Sequence, residues 1–303
     1  MHTSGPRLRR RPNDWTTAYG SLNSGPRLRR RPIGVFDSGL GGLTVARALM
    51  DLLPDERIVY LGDSARGPYG PRDLAQVRGF TAEIVDELAG RGVKLAIAAC
   101  VTATAAALEP SDAGLPLDFD VPVIGAIAAP VVAATRATRN GRIGVIGTVG
   151  TIGSGAFDRA VAQAAPDVKL FSQACPRFVE LVEQGRTTDA EVLEVAAGYL
   201  APLLAADVDT LILGCTHYPL LTGVLSYLMG PGVVLVSSAE ETARSVFAWL
   251  VRAGALAHAG DPVHTFTSTG DAVEFARLAA RFLGPRVTAM DVETVALGAG
   301  AGR

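Results

Sequence analysis

Cys100 and Cys215 are the residues of this 303-residue chain whose type and surroundings best suit paired chemistry. Each follows an apolar run with the pattern of a strand, LAIAA before Cys100 and TLILG before Cys215, and each precedes a segment that starts a helix. Free N–H groups and the dipole at a helix start favour a thiolate over a thiol. Thr102 follows the first cysteine closely, and Thr216 and His217 follow the second directly. A thiolate on one face of a carbon atom and a thiol on the other can remove a proton and return one from the opposite side. A single strand-end cysteine is more often plain core, but two at matching places are hard to read that way. With Cys175 the cysteines number three and contain no C-x-x-C pair. That pattern speaks against a disulfide framework or a thiolate metal site and fits a reducing, cytoplasmic setting.

Cofactor chemistry finds little support in the same residues. Enzymes that remove the α-hydrogen of an amino acid often delocalise the charge on pyridoxal phosphate held by a lysine. The chain has only Lys94 and Lys169, and both fall at or near the beginning of a strand candidate, the wrong end for a site. His2, His217, His258 and His264 are scattered without ligand spacing, so no metal is expected. Neither a GxGxxG nor a GxxxxGK[ST] loop is present.

Two sulfurs can bracket one carbon only if the elements carrying them face each other. Strand candidates are Ile33–Asp37, Arg57–Leu61, Leu95–Ala99, Val121–Gly125, Arg142–Gly147, Val168–Phe171, Thr210–Leu213 and Val233–Val236. Helix candidates are Leu43–Leu53, Pro71–Arg91, Val131–Arg139, Gly155–Ala165, Asp189–Ala206 and Ala239–Ala253. Strands that are apolar on both faces and alternate with helices predict parallel sheets covered on both sides, an α/β fold. The chain also repeats weakly: IGVFDSGLGGL at 33–43 is echoed by IGVIGTVGTIG at 143–153, and the two cysteines end comparable strands. Two similar α/β domains related by a pseudo-twofold axis would bring their strand C-terminal ends together, where open α/β sheets bind ligands. Cys100 and Cys215 would then meet across a shared cleft.

Composition sets the frame. Hydrophobic residues make up 49% of the chain, enough for a substantial core. Residues 1–32 hold eight of the 28 basic residues and one of the 30 acidic ones, so the rest holds 20 and 29, a balance of −9. An acidic body does not suggest direct nucleic-acid binding. The sequence SGPRLRRRP occurs at 4–12 and again at 24–32. An exact repeat of that kind reads as a duplication artefact, and residues 1–32 are expected to be a disordered basic arm. No apolar run follows the first arginines, so no signal peptide is expected. The longest uncharged stretch, Thr210 to Ala239, is broken by Gly214, His217, Pro219, Gly230 and Pro231 and reads as strand, loop, helix and strand rather than a membrane span.

In order and spacing, FDSGLGGLTV (36–45), GDSARGPYG (62–70), the segment around Cys100, CPRFVELVEQG (175–185), LGCTHYPLL (213–221) and VSSAEETA (236–243) resemble glutamate racemase, of the cofactor-independent aspartate/glutamate racemase family. The resemblance runs from about Ile33 to Leu283. It implies interconversion of L- and D-glutamate by two cysteines, without cofactor, to supply D-glutamate for peptidoglycan. It implies that Cys100 takes the proton of the D-form and Cys215 that of the L-form. Asp37 would assist the first cysteine, and His217 and Glu183 the second, with Glu180 a close competitor of Glu183. Ser38, Pro68, Tyr69, Gly70, Thr102, Thr148, Thr151 and Thr216 would contact substrate, and Gly39, Gly41 and Gly42 would let backbone amides approach a carboxylate. Cys175 reads as buried structure.

The family usually carries Asn where this chain has Val101. Val cannot donate or accept through its side chain, and a lost hydrogen bond to a charged group costs about 1.5–3 kcal/mol, on the order of 10–100-fold in affinity or rate. The departure opens three readings: a weakened glutamate racemase, a racemase of another acidic amino acid such as aspartate, or a homologue acting as a binding protein. Some relatives inhibit DNA gyrase, and the resemblance implies a homodimer. Residues 33–128 with 239–297 are assigned to one domain and 129–238 to the other, with 298–303 as a flexible tail.

Overall fold

The computed structural model describes residues 26–258, 260–283 and 292–297. Its strands are β1 (Ile33–Asp37), β2 (Ile58–Gly62), β3 (Leu95–Ala98), β4 (Val123–Gly125), β5 (Arg142–Gly147), β6 (Lys169–Ala174), β7 (Thr210–Gly214), β8 (Val234–Ser237), β9 (Thr265–Ser268) and β10 (Val292–Thr294). Its helices are α1 (Pro26–Arg30), α2 (Leu43–Leu52), α3 (Leu74–Gly90), α4 (Val101–Ala107), α5 (Ala128–Ala137), α6 (Val149–Gly153), α7 (Ala156–Ala164), α8 (Arg177–Glu183), α9 (Ala190–Ala205), α10 (Thr222–Met229), α11 (Ser238–Arg252) and α12 (Ala272–Leu283).

The strands form two wholly parallel sheets, in the orders β10-β9-β2-β1-β3-β4 and β6-β5-β7-β8. The second sheet repeats the arrangement β2-β1-β3-β4 of the first, strand for strand. The weak sequence echo between residues 33–43 and 143–153 thus marks two equivalent central strands, β1 and β5. Cys100 follows β3 and Cys215 follows β7, the strands beside those centres. β1, β2, β3 and β7 are buried along their whole length, as strands covered by helices on both faces must be.

The two halves share a core. Ile33, Ile97 and Leu49 of the first join Ile146, Leu213 and Leu225 of the second in one apolar cluster. Helix α11 lies along the seam: it packs against α2 on one side and α5 on the other, burying Ala243, Val246 and Leu250. Among the described residues no helix is long and apolar enough to cross a membrane.

Several expectations are corrected. Residues 26–30, predicted disordered, form α1. Leu28 packs on the core, Arg29 Nε donates to Gly254 O at 3.0 Å, and Arg31 Nε donates to Gly92 O at 2.8 Å. The arginines are held by turn carbonyls, a use of positive charge that composition does not reveal. Residues 1–25 and 298–303 lie outside the described residues. No element was expected beyond Ala253, yet β9, α12 and β10 complete the first sheet. The β9 sequence TFTS lacks an apolar run, although three of its four residues are buried. Helix α3 starts at Leu74 rather than Pro71, because Asp73 caps it by accepting from Ala75 N at 2.8 Å. Helix α5 begins at Ala128 and carries Pro130 in its first turn, where proline is tolerated.

Candidate active site

One cavity of about 450 Å³ opens at the C-terminal ends of strands from both sheets. Ser38 after β1, Ser64 after β2 and Cys100 after β3 form one side. Thr148 after β5, Pro176 after β6 and Cys215 after β7 form the other. Both cysteines line it, each 6% exposed.

Cys100 is the N-cap of α4, and its sulfur accepts from Ala103 N at 3.5 Å. Burial, reinforced by the Asp37 charge, pushes its thiol up to about 12, more than the amide and Ser38 contacts lower it. Asp37 ends β1 and is fully buried behind the cavity wall rather than lining it. Burial raises its carboxyl, opposed by the His217 charge, the Gly42 and Gly39 amides and Thr216.

Around Cys215 the groups form a chain. His217 Nδ1 lies 3.9 Å from Cys215 Sγ, and His217 Nε2 lies 3.0 Å from Glu183 Oε1 at the end of α8. Thr216 Oγ1 donates to Asp37 Oδ1 at 3.4 Å and lies 3.4 Å from His217 Nδ1. Burial works against a charged imidazole most strongly, but the contacts with Cys215 and Glu183 and the charges of Cys215 and Asp37 outweigh it. The balance lifts His217 to about 10.

The loop Gly39–Gly42 presses directly on this chain. A Cβ at Gly41 would fall 2.3 Å from Thr216 Oγ1 and 2.4 Å from His217 Nδ1. Only glycine permits that approach. A hydroxyl triangle closes the opposite wall: Thr102 Oγ1 lies 3.0 Å from both Thr148 Oγ1 and Thr151 Oγ1, and Thr148 Oγ1 donates to Thr151 Oγ1 at 3.0 Å. Thr151 is buried behind Thr102 and Thr148, outside the lining.

Pro68, Tyr69 and Gly70 line the cavity from the β2–α3 loop. The Tyr69 hydroxyl donates to the buried Asp63, which also accepts from Arg66 Nε at 2.7 Å and Thr269 Oγ1 at 2.8 Å. Gly70 O accepts from Gly150 N at 2.8 Å, tying this loop to α6 across the cleft. Val101 lines the cavity and also packs into the apolar cluster of Ala105, Ile127 and Ile212. Glu180 and Glu183 both face the cavity, but Glu183 alone bonds His217.

Cys175 stands apart. It is fully buried, does not line the cavity, and its thiol is raised by burial. Ala174 and Gly214 both pair with Gly147, so Cys175 and Cys215 follow positions two strand spacings apart. That is roughly 9–10 Å, beyond the ~7 Å Cα separation of a disulfide. Lys94 and Lys169 sit at the opposite ends of the strands. Lys94 Nζ is paired with Glu56 at 2.6 Å, and Lys169 begins β6 exposed to solvent.

Sequence reasoning missed one wall altogether. Asp271, Glu274, Phe275 and Leu278, on or just before α12, line the cavity. The periodicity of AVEFARLAARFL could have marked the helix, but no motif there points to a site. Among the described residues no Lys or Arg lines the cavity; His217 is its cationic group, set among hydroxyls and the carboxylates of Glu180, Glu183, Asp271 and Glu274.

Comparison with known proteins shows the family. The family model of Asp/Glu/Hydantoin racemase matches residues 43–246. Glutamate racemase of Corynebacterium diphtheriae is 55% identical over 257 residues, covering 84% of this chain and 95% of that one. The crystal structure of glutamate racemase isoform RacE1 from Bacillus anthracis is 41% identical with a TM-score of 0.83, over 89% of this chain and 98% of the other. That of Francisella tularensis glutamate racemase in complex with D-glutamate is 32% identical with a TM-score of 0.79, at the same coverage of both chains. The chain belongs to the Asp/Glu/Hydantoin racemase family, a family of isomerases.

Proposed function

We propose that the chain interconverts L- and D-glutamate by two-base proton transfer between Cys100 and Cys215, without a cofactor. The observation that carries this reading is that both cysteines, from the ends of equivalent strands of two like-ordered sheets, line one cavity. In the L-to-D direction Cys215, as thiolate, takes the α-proton: the C–H bond breaks, an S–H bond forms, and the electron pair stays on the α-carbon. The Cys100 S–H then breaks and its proton forms the new C–H bond on the opposite face. The D-to-L direction reverses both steps.

The electrostatics suit these starting states. At neutral pH the Cys100 thiol, held up at about 12, keeps its proton and is ready as the acid. His217, at about 10, is a cation whose Nδ1 lies 3.9 Å from Cys215 Sγ. Glu183 fixes the orientation of the imidazole through Nε2. Asp37 stands on the Cys100 side and meets the other assembly through Thr216. The hydroxyls of Thr102 and Thr148, with Ser38, supply neutral donors for the substrate carboxylates, of which the α-carboxylate gains negative charge as the α-proton leaves.

Residues 33–128 with 239–297 are assigned to one domain and 129–238 to the other, so the cysteines come from different domains and closure of the cleft sets their separation. The D-glutamate formed would serve peptidoglycan synthesis, as the resemblance implies. The test is circular dichroism of L-glutamate in the presence of the protein. The signal decays to zero if the reading holds, and Cys100→Ala and Cys215→Ala abolish the decay. Decay at wild-type rate in either variant contradicts it, and L-aspartate under the same conditions separates the two acidic substrates.

A further inference from the structure

Helix α12 belongs to the first half, where it packs on α2, β9 and β10, yet its last turn reaches the second half. Arg281 Nη1 donates to Glu183 O, the final carbonyl of α8. The guanidinium packs against Gly185, whose φ of +79° disfavours a side chain and where a Cβ would fall 2.9 Å from Arg281 Cζ. Phe282, the next residue, sets its ring edge-on to His217, with centroids 5.6 Å apart and planes at 90°. Leu283 O in turn accepts from Arg47 Nη1 at 2.5 Å, which fastens the end of α12 to α2. The helix that walls the cavity therefore ends on both members of the His217–Glu183 pair, one through its backbone carbonyl and the other through its ring.

We infer that Arg281 and Phe282 are positioning residues for proton transfer at Cys215, holding Glu183 and His217 in register from across the cleft. This rests on the two-cysteine reading above. Arg281 fixes the C-terminal turn of α8 and thereby the place of the Glu183 carboxylate. Phe282 blocks rotation of the imidazole away from Cys215. Both contacts fall on the Cys215 side, and Cys100 is reached from them only through Thr216 and Asp37, so the effect is larger at one of the two bases.

That one-sidedness is what an experiment can read. The equilibrium constant of a racemisation ties kcat/KM in the two directions together, so a lesion at either base slows both equally. Isotope effects separate them. With glutamate deuterated at the α-carbon, Arg281→Ala should lower kcat/KM roughly 10- to 100-fold. The isotope effect on kcat/KM should grow with L-glutamate, whose proton goes to Cys215, and shrink with D-glutamate. Arg281→Lys, which keeps a donor for Glu183 O, should restore much of both. Phe282→Leu, which keeps the apolar bulk, should shift the isotope effects in the same sense. Arg281 is exposed, so its loss leaves the fold intact, and a thermal melt of each variant checks this. Wild-type rates, or slower rates with the isotope effects of the two directions unchanged, would overturn the inference. Wild-type racemisation by Cys100→Ala or Cys215→Ala would overturn the two-cysteine reading itself.

Discussion

His217 sits between Cys215 and Glu183, and that placement sets how the site answers to pH. Its facing groups are Cys215, Thr216, Asp37, Glu183 and the Phe282 ring. Its value in the folded chain, about 10, lies above the ordinary 6.5. A raised value means that the folded state holds the proton more tightly. The stabilisation is complete below about 6.5 and is lost as pH climbs through about 10. The basic limb of the kcat/KM profile should fall in the same range, and His217→Asn should remove that limb while lowering the plateau. A profile of the variant that still bends near 10 would assign the limb to another group. Val101 is the second residue to test. Val101→Asn restores a hydrogen-bonding side chain to the cavity wall and should raise kcat/KM on the order of 10-fold. It also places an amide among Ala105, Ile127 and Ile212, so the melting temperature should fall. A lower melting temperature with no gain in rate would mean that Val101 serves packing alone.

Among the elements, the loop from Gly39 to Gly42 is held tightly at Gly41 and Gly42. It turns the chain from β1 into α2 while passing against Thr216 and His217. Gly41→Ala should cost about 1–3 kcal/mol of stability and about 100-fold in rate, because the added methyl displaces His217 from Cys215. Equilibrium unfolding and kcat measured on the same preparation check both figures, and near-wild-type activity would show that the loop can yield. These elements differ in how far they could be read from sequence. Fully buried strands such as β1 and β7 announce themselves as apolar runs, and the turn after β1 by its glycines. The α12 wall was not legible: β9 is built from threonine, serine and one phenylalanine, and its pairing with β2 spans some 200 residues of chain. The contacts of Arg281 and Phe282 arise from that pairing, which no local pattern encodes.

For the whole molecule, the site lies at one end of the sheets and a purely structural device at the other. Lys94 Nζ, just before β3, bonds Glu56 Oε1 and Ala255 O, both at 2.8 Å, and reaches Arg29 O at 3.4 Å. It ties α1 and the turn after α11 to the floor of the first sheet. Lys94→Ala leaves the buried Glu56 without its countercharge, with the Ala257 amide at 2.8 Å still donating to it, and should cost about 3–5 kcal/mol of stability, with kcat per folded molecule unchanged. A fall in kcat at full occupancy of the folded state would mean that the two ends communicate. The likeness of the halves was legible as a faint echo at 33–43 and 143–153, because the same strand-then-glycine turn is needed twice. The seam helix α11 was legible only as a helix, since its role depends on which faces the rest of the chain leaves open. What the two halves bring together is a pair of sulfurs on one cavity, and hydrogen exchange in D₂O tests that pairing most directly. When L-glutamate is converted in D₂O, the D-glutamate formed first should carry deuterium at the α-carbon while the recovered L-glutamate carries almost none. Deuterium entering both forms at the same early rate would point to a single base and contradict the account.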